Sequence, residues 1–288
     1  MATVTPPIPR PPGLRRVLFA HAHPDDETLA TGCLIADLTA CGIHVGVVTA
    51  TRGERGEVVE GPLSHLRGTP GLTPHRLGEL RTALELLGVG WHAMLGTPPA
   101  RGSDLPPRIY RDSGMRWLTP TLAGPADDAA PDALTHADLA EAAADLAAAV
   151  TAYRPDLLIS YDAGGGYGHP DHVRMHEIAL AAAELTGVAL AEIVMPTDPG
   201  DDADDADGDD DANDPDRSHD PDLTWFTLPH TLPTVGQALA SYASQLQVDG
   251  DHVIHVGGQR QPILTRVGLR RRLDQPDRPD RPDRPPGS

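Results

Sequence analysis

Short apolar runs alternate with helical stretches along this chain, and that alternation restricts the folds open to it. Three runs are typical of buried strands: Arg16 to Ala20, Val45 to Ala50, and Leu157 to Tyr161. A helical stretch from about Thr28 to Ala40 separates the first two, and an Ala-rich helix to Leu185 follows the third. Such alternation forms right-handed crossovers and a mostly parallel sheet with helices on both faces. The sequence predicts a Rossmann-like α/β fold.

Composition sets the predicted domain boundaries. The Pro-rich residues 1–14 are expected to be flexible, and the folded domain is expected to cover residues 15–265. Residues 199–222 are rich in Asp, Ala, Gly and Pro, which predicts a disordered acidic insert. A calcium loop is the alternative, but with Gly208 at its sixth position Ala203 and Asp214 stand where Asp and Glu are required. A Pro-Asp-Arg repeat predicts a disordered tail over residues 274–288.

Charge and residue usage exclude several kinds of function. The formal net charge is −19, and 13 aspartates fall between Asp198 and Asp222. Without a basic stripe, neither a nucleic acid nor an anionic membrane is expected as a partner. The chain contains no lysine, which excludes a Walker lysine and a Schiff-base lysine. It also lacks the apolar run of a signal peptide or membrane span, so we expect a cytoplasmic protein.

Two motifs rich in histidine and aspartate stand at equivalent places in this pattern. The first, HAHPDDE, begins at His21, and the second, YGHPDH, begins at Tyr167. Each motif directly follows a predicted strand and precedes a predicted helix. In parallel sheets, ligands bind beyond the carboxyl ends of the strands. The two motifs are therefore expected to form one active site there.

The motifs contain the residues of a catalytic metal site. His23 and Asp26 are three residues apart at a helix start, and His172 can supply a third ligand. Two histidines and one carboxylate leave a coordination position open, as in catalytic zinc sites, although Fe²⁺ also suits this set. Asp25 cannot easily face the same way as Asp26. It is predicted to be the general base that takes a proton from water.

The second motif supplies candidates for stabilising negative charge. A protonated His169 opposite Asp25 could stabilise an oxyanion, with Asp171 as its orienting partner. Tyr167 could donate its hydroxyl to the same oxygen. A histidine after a strand or an aspartate at a helix start is more often structural. We assign that ordinary role to the other histidines considered: His21, His44, His65, His75, His92 and His136.

The motifs also carry a family resemblance. The run Ala22 to Glu27, paired with His169 to His172, resembles the signature of the LmbE-like (PIG-L) zinc deacetylases, which include the GlcNAc-phosphatidylinositol deacetylases. Four further segments are similar to the members that act in mycothiol biosynthesis: TRGERGE from Thr51, RLGEL from Arg76, YRDSGM from Tyr110 and YDAGGGYGHPDHV from Tyr161. The similarity covers about residues 15–186, with a weaker match at residues 238–246.

The resemblance implies the same metal site and base, and it adds substrate contacts. It implies a zinc-dependent N-deacetylase with metal ligands His23, Asp26 and His172, base Asp25, and oxyanion donors His169 and Tyr167. Arg76 and Asp112 resemble positions that contact sugar hydroxyls. The expected substrate is a small amino sugar, 1D-myo-inositol 2-acetamido-2-deoxy-α-D-glucopyranoside, and no organic cofactor is expected.

Three alternative functions remain open. They are a mycothiol-conjugate amidase, an antibiotic-pathway amino-sugar deacetylase and a non-catalytic sugar-binding protein. Residues 187–233 depart from the family pattern and carry the acidic run. This departure affects the expected inositol end of the substrate pocket rather than the metal site.

Overall fold

The structure, a computed structural model, describes residues 13–102, 104–119, 121–196 and 220–273. Most of the predicted acidic insert and the whole of the predicted tail lie outside the described residues, as do residues 1–12 of the predicted N-terminal segment.

The described residues form twelve strands and six α-helices. The strands are β1 (Arg16–His21), β2 (His44–Thr49), β3 (Trp91–Met94), β4 (Met115–Trp117), β5 (Ala123–Pro125), β6 (Leu157–Tyr161), β7 (Ala189–Val194), β8 (Leu223–Thr227), β9 (Leu246–Asp249), β10 (His252–His255), β11 (Arg260–Pro262) and β12 (Arg266–Leu273). The helices are α1 (Asp26–Ala40), α2 (Leu72–Leu86), α3 (Leu139–Tyr153), α4 (Gly165–Gly168), α5 (Pro170–Thr186) and α6 (Leu232–Leu239). No helix within these ranges is long and apolar enough to cross a membrane.

The main sheet has seven strands in the order β3-β2-β1-β6-β7-β12-β8. The first five are parallel, and β12 is antiparallel to both of its neighbours. The predicted α/β class with a mostly parallel sheet is therefore confirmed. The predicted domain end at residue 265 is too early, because β12 begins at Arg266 and lies inside this sheet.

Helices cover both faces of the sheet, as the alternation of side chains along a strand requires. In β1, Phe19 packs into one core with α1, α2 and α6, whereas Leu18 packs into the other with α3 and α5. Both side chains are fully buried. A strand covered on both faces must be apolar where it is buried, which explains the continuous run VLFA from Val17 to Ala20.

The strand order places the two motifs side by side. After β1 the chain adds β2 and β3 on one side, and it later adds β6 directly on the other side of β1. The strand order thus reverses between β1 and β6, and such a switch point leaves a crevice at the carboxyl ends of the two strands. The loop after β1 holds His23, and the loop after β6 holds His169.

Local sequence fixes the start and end of α5. The His169 ring accepts a hydrogen bond from the Asp171 backbone N–H, and Pro170 occupies the first helical position, where no N–H is needed. Gly187 ends the helix in the left-handed region, with φ 67°. The second motif is therefore held at a defined helix start.

The C-terminal part differs from its predicted structure. The sequence VGQALASYASQL, from Val235 to Leu246, predicts an amphipathic helix, but α6 covers only Leu232–Leu239. The chain then turns through Tyr242 and enters β9 at Leu246. The cause is tertiary packing, since Tyr242 and Leu246 are both buried in the core that contains α1.

Candidate active site

The two motif loops meet at the Asp26 carboxylate. Its Oδ2 lies 3.2 Å from His23 Nδ1 and 3.2 Å from His172 Nε2, so the three predicted metal ligands are in contact. The same oxygen accepts hydrogen bonds from the His23 backbone N–H at 2.8 Å and from the Tyr161 hydroxyl at 2.7 Å. All of these residues are buried.

Opposite charges compensate for this burial. Burial alone would raise the pKa of the Asp26 carboxyl, but the His172 and His23 imidazoles hold that pKa well below its usual value. Burial would likewise lower the pKa of His23, but Asp112, Asp171 and Asp26 raise it well above its usual value. Both ring nitrogens of His23 face carboxylates, so metal binding to His23 requires loss of a proton.

His172 is arranged as a metal ligand would be. Its Nδ1 lies 3.2 Å from the Gly165 carbonyl oxygen, which can only accept, so Nδ1 carries the proton. In the neutral form of the ring, which is the form that binds metal ions, the Nε2 atom keeps its lone pair. It is buried and has no hydrogen-bond partner among the described residues, since its 3.2 Å approach to Asp26 lacks hydrogen-bond geometry. A buried imidazole held by its second nitrogen is typical of metal sites.

Two groups of side chains have ligand atoms that all lie within 4.8 Å of one another. One consists of His23, His169 and His172, and the other of His23, Asp112 and Asp171. Among the described residues, Asp26 belongs to neither group, although its Oδ2 lies close to two of the imidazoles. The donor set therefore fits a divalent ion and offers carboxylates on both sides of His23.

Asp25 lies beside this cluster in an uncommon backbone conformation, with φ 100°. Its Oδ2 accepts a 2.9 Å hydrogen bond from the Arg76 guanidinium. Burial raises the pKa of the Asp25 carboxyl to about 7, and the Arg76 charge opposes that rise. A carboxyl group that titrates near neutral pH suits a general base.

Arg76 is placed differently from a substrate contact. It is only 3% exposed, and besides Asp25 it donates to the carbonyls of Gly53 at 2.7 Å and Pro24 at 2.6 Å. An alanine methyl at Gly53 would lie 1.9 Å from the guanidinium, so the Arg76 side chain fills the space against the loop that follows β2. In this arrangement the Arg76 guanidinium contacts Asp25, the predicted base, and two loop carbonyls.

Asp112, the other predicted sugar contact, lies at the edge of the histidine cluster. Its Oδ1 is 3.7 Å from His23 Nε2 and accepts from the Gly114 N–H, and its Oδ2 accepts from the Arg55 N–H. The residue is 6% exposed. These contacts place Asp112 among the candidate metal-binding groups.

The predicted pairing of Asp171 with His169 is wrong. The Asp171 carboxylate instead lies 3.1 Å from His23 Nε2 and accepts from the Ser113 N–H at 2.9 Å and the Ser113 hydroxyl at 2.5 Å. His169 Nδ1 accepts from the Asp171 backbone N–H. The helix start explains the difference, since its first N–H groups need acceptors and the ring is the nearest one.

This hydrogen bond also fixes the protonation of His169. Because Nδ1 is an acceptor, the proton of the neutral ring is on Nε2. Burial and the neighbouring His23 and His172 rings lower the pKa of His169 to about 2. The hydrogen bond accepted by Nδ1 favours a neutral ring over the predicted imidazolium, and this neutral ring retains one N–H donor.

Tyr167 lies over the cluster. Its ring centroid is 5.3 Å from that of His172 and 6.0 Å from that of His169, and the residue is 42% exposed. The predicted hydroxyl donor thus borders the cluster on its solvent side.

Three supporting residues were missed from the sequence. Tyr161 donates to Asp26, Ser113 binds Asp171, and the buried Glu27 accepts from the Asp25 N–H and, at 2.5 Å, from the Tyr242 hydroxyl. Tyr161 ends β6 and Glu27 follows Asp26, so both lie within the quoted motifs. Their polar side chains inside these motifs indicate a role at the site. Their hydrogen-bond partners, Asp26 for Tyr161 and Tyr242 for Glu27, are distant in sequence.

A family assignment follows from comparison with known proteins. The model of the family described as PIG-L, GlcNAc-PI de-N-acetylase, matches residues 18–183, and this chain belongs to that family. The predicted family resemblance is thereby confirmed.

Curated relatives show which proteins of this family the chain is similar to. The chain is 48% identical over 171 residues to a 1D-myo-inositol 2-acetamido-2-deoxy-α-D-glucopyranoside deacetylase of Kineococcus radiotolerans, covering 59% of this chain and 45% of that relative. It is 45% identical over 176 residues to a protein of the same name from a Nocardioides species, covering 60% and 55%. The match spans about half the length of these relatives.

Solved structures support the fold. The zinc-inhibited form of the teicoplanin deacetylase Orf2 superposes with a TM-score of 0.50, covering 80% of this chain and 84% of that one at 19% sequence identity.

Proposed function

We propose that this chain is a metal-dependent N-deacetylase that acts on 1D-myo-inositol 2-acetamido-2-deoxy-α-D-glucopyranoside in mycothiol biosynthesis. The observation that carries the proposal is the contact of Asp26 with both His23 and His172, with Asp25 directly beside it. The names of the relatives that match at 45–48% identity support the choice of substrate.

His23, Asp26 and His172 would hold the ion, with Zn²⁺ as the first choice and Fe²⁺ as the second. The unpartnered Nε2 of His172 supports this assignment. A divalent ion at such a site supplies Lewis acidity, which polarises a carbonyl group and makes water a stronger nucleophile.

The protein's own groups move the proton. The Asp25 carboxylate takes a proton from water as the water oxygen bonds to the acetamide carbon. The C–N bond then breaks, and Asp25 returns the proton to the departing amine. The products are acetate and the free amino sugar. Arg76 keeps the base in place through its hydrogen bond to Asp25.

Two neutral donors would stabilise the oxyanion formed between these steps. His169 retains an Nε2–H because its Nδ1 is occupied by the Asp171 N–H. Tyr167 contributes its hydroxyl from the solvent side of the cluster. Donors fixed before the reaction are effective because they need no reorganisation when charge develops.

We further propose a cytoplasmic enzyme whose partner is this small substrate rather than a nucleic acid or a membrane. The aspartate-rich composition supports this proposal, since phosphate-bearing surfaces are repelled by it.

An acetate-release assay tests the proposal. Metal-loaded protein is given N-acetylglucosaminyl-inositol or free N-acetylglucosamine, and kcat/KM is compared. We expect the inositol-bearing sugar to be preferred by roughly ten- to a thousandfold, which corresponds to about 1–4 kcal/mol of transition-state binding. Near-equal values would reject the mycothiol role and favour a general amino-sugar deacetylase. No acetate from either sugar would favour a sugar-binding protein.

A further inference from the structure

A group of apolar side chains is exposed next to the catalytic cluster. Trp117 is 52% exposed, and with Leu118, Leu122 and Tyr167 it forms a set that we call the aromatic shelf. The other three are 54%, 46% and 42% exposed. Neighbouring exposed apolar side chains are unfavourable in water and usually mark a binding surface.

The shelf is attached firmly to the site. Trp117 ends β4, which pairs with β5 as a hairpin. Ser113, just before β4, holds Asp171, and on the other side of the hairpin a methyl group at Gly168 would lie 2.7 Å from Leu122 and 3.0 Å from the Ala123 carbonyl oxygen. Gly168 has φ +82°, so only glycine suits this close approach. Both ends of the hairpin are thus fixed on the second motif.

The two aromatic rings of the shelf are ordered outward from the histidines. The Tyr167 ring is 5.3 Å from His172, and the Trp117 ring is 5.7 Å from Tyr167 at an interplanar angle of 31°. Trp117 therefore lies one ring further from the reacting atoms than Tyr167. A substrate whose acetamide is at the histidines would reach Trp117 with a more distant part.

The chemistry of an amino sugar identifies that part. The acetamide is on C2 of the amino sugar, and the second ring of a glycoside is attached to the adjacent carbon, C1. This second ring therefore lies close to the reacting amide. A cyclitol or sugar ring has a face of C–H groups, which packs well on an indole ring while its hydroxyls stay in water.

We infer that Trp117 is a specificity-determining residue that stacks on the ring attached to C1 of the amino sugar. This inference rests on the proposed function and adds the residue that recognises the second ring. Binding energy at Trp117 would be used to orient the acetamide at the reacting groups.

The first test compares two substrates in one variant. In Trp117→Ala, kcat/KM for the inositol-bearing sugar should fall about tenfold more than kcat/KM for free N-acetylglucosamine, mainly through KM. Trp117→Phe, which keeps a ring, should restore most of the difference. Trp225→Ala is the matched control, because Trp225 lies on β8 at the far edge of the sheet. It should leave the ratio of the two efficiencies unchanged.

Several results would overturn the inference. An equal loss with both substrates would mean that Trp117 acts only by restraining Tyr167. An unchanged ratio would mean that the second ring does not touch Trp117. A change in oligomeric state with an unchanged ratio would identify the shelf as a contact between protein copies.

The proposed substrate is tested separately. A wild-type protein with no preference for the inositol-bearing sugar rejects that substrate but not the role of Trp117. The phenyl glycoside of N-acetylglucosamine then replaces it, and its advantage over the free sugar should fall in Trp117→Ala. If neither glycoside has an advantage that depends on Trp117, the inference is wrong.

A binding measurement gives a readout independent of turnover. In the variant Trp91→Phe/Trp225→Phe, Trp117 is the sole tryptophan, since the chain has three. Titration with the deacetylated product, glucosaminyl-inositol, should change its fluorescence saturably and at lower concentration than glucosamine does. Identical titration curves for the two ligands would contradict the inference.

Discussion

Replacing Arg76 by methionine separates two roles for this residue, support of the base and contact with the sugar. The Arg76 guanidinium is 2.9 Å from Asp25 Oδ2, and the two side chains are 4% and 14% exposed. Methionine fills similar space but removes the charge and the donors. It leaves a buried carboxylate without its partner, along with the carbonyls of Pro24 and Gly53.

The expected loss of stability follows from burial. Breaking a buried ion pair by removing one partner costs about 3–5 kcal/mol, and we take the lower end because Asp25 retains some exposure. A loss of about 3 kcal/mol corresponds to a decrease in melting temperature of about 6–12 °C for a domain of this size. Arg260→Met is the control, since its 3.1 Å pair with Asp249 is 55% and 61% exposed and should contribute only about 0–1 kcal/mol.

Urea denaturation and steady-state kinetics provide the measurements. We expect Arg76→Met to lower kcat strongly, with little change in KM, and to retain bound metal. The double variant Asp25→Asn/Arg76→Met should be more stable than the sum of the single losses predicts, by about 0.5–3 kcal/mol, because it removes both members of the pair.

The opposite pattern would refute this reasoning. If Arg76→Met raised KM, left kcat unchanged and unfolded at the same urea concentration as the wild type, Arg76 would contact the substrate, as the sequence predicted. Additive stability losses in the double variant would show that Arg76 and Asp25 do not interact.

Other predictions address the metal, the base and the fold. Alanine at any one predicted ligand should lower metal content, measured by elemental analysis, and abolish acetate release; unchanged occupancy in all three variants would reject the set His23, Asp26 and His172. Asp25→Asn should keep its metal but lose activity by about a hundredfold or more, and an equal loss of metal would make Asp25 a ligand. Tyr110→Phe removes the 2.7 Å hydrogen bond from its hydroxyl to the buried Asp145 carboxylate and should lower the free energy of unfolding by about 1.5–3 kcal/mol in urea; no change would mean that Arg101 alone satisfies this carboxylate.

Sequence patterns predicted the fold well because its elements are coded locally. Val17 to Ala20, before His21, are all apolar, and Pro170 marks the start of α5. The position of the site followed from this, since motifs after strands of a parallel sheet lie at one edge. The strand β12 was missed because Arg266–Leu273 carries four arginines and lacks an apolar run.

Partners of individual side chains were harder to predict. Asp171 was assigned to His169 because the two are close in sequence, yet its carboxylate binds Ser113, 58 residues away. Arg76 was assigned to the sugar by resemblance, whereas its ion pair with Asp25 spans 51 residues. Such contacts depend on how loops pack in three dimensions, and no local periodicity encodes them.

The position of β12 has a consequence for how the protein is made. This strand is the last of the main sheet in chain order, yet it lies between β7 and β8 and pairs with both. During synthesis, β7 must remain an unpaired edge until β12 leaves the ribosome, and an exposed edge strand can pair with other chains. The contacts that complete the sheet are also distant in sequence and hence slow to form. Nascent chains that stall before Arg266 would therefore be the ones most prone to aggregate and most dependent on chaperones.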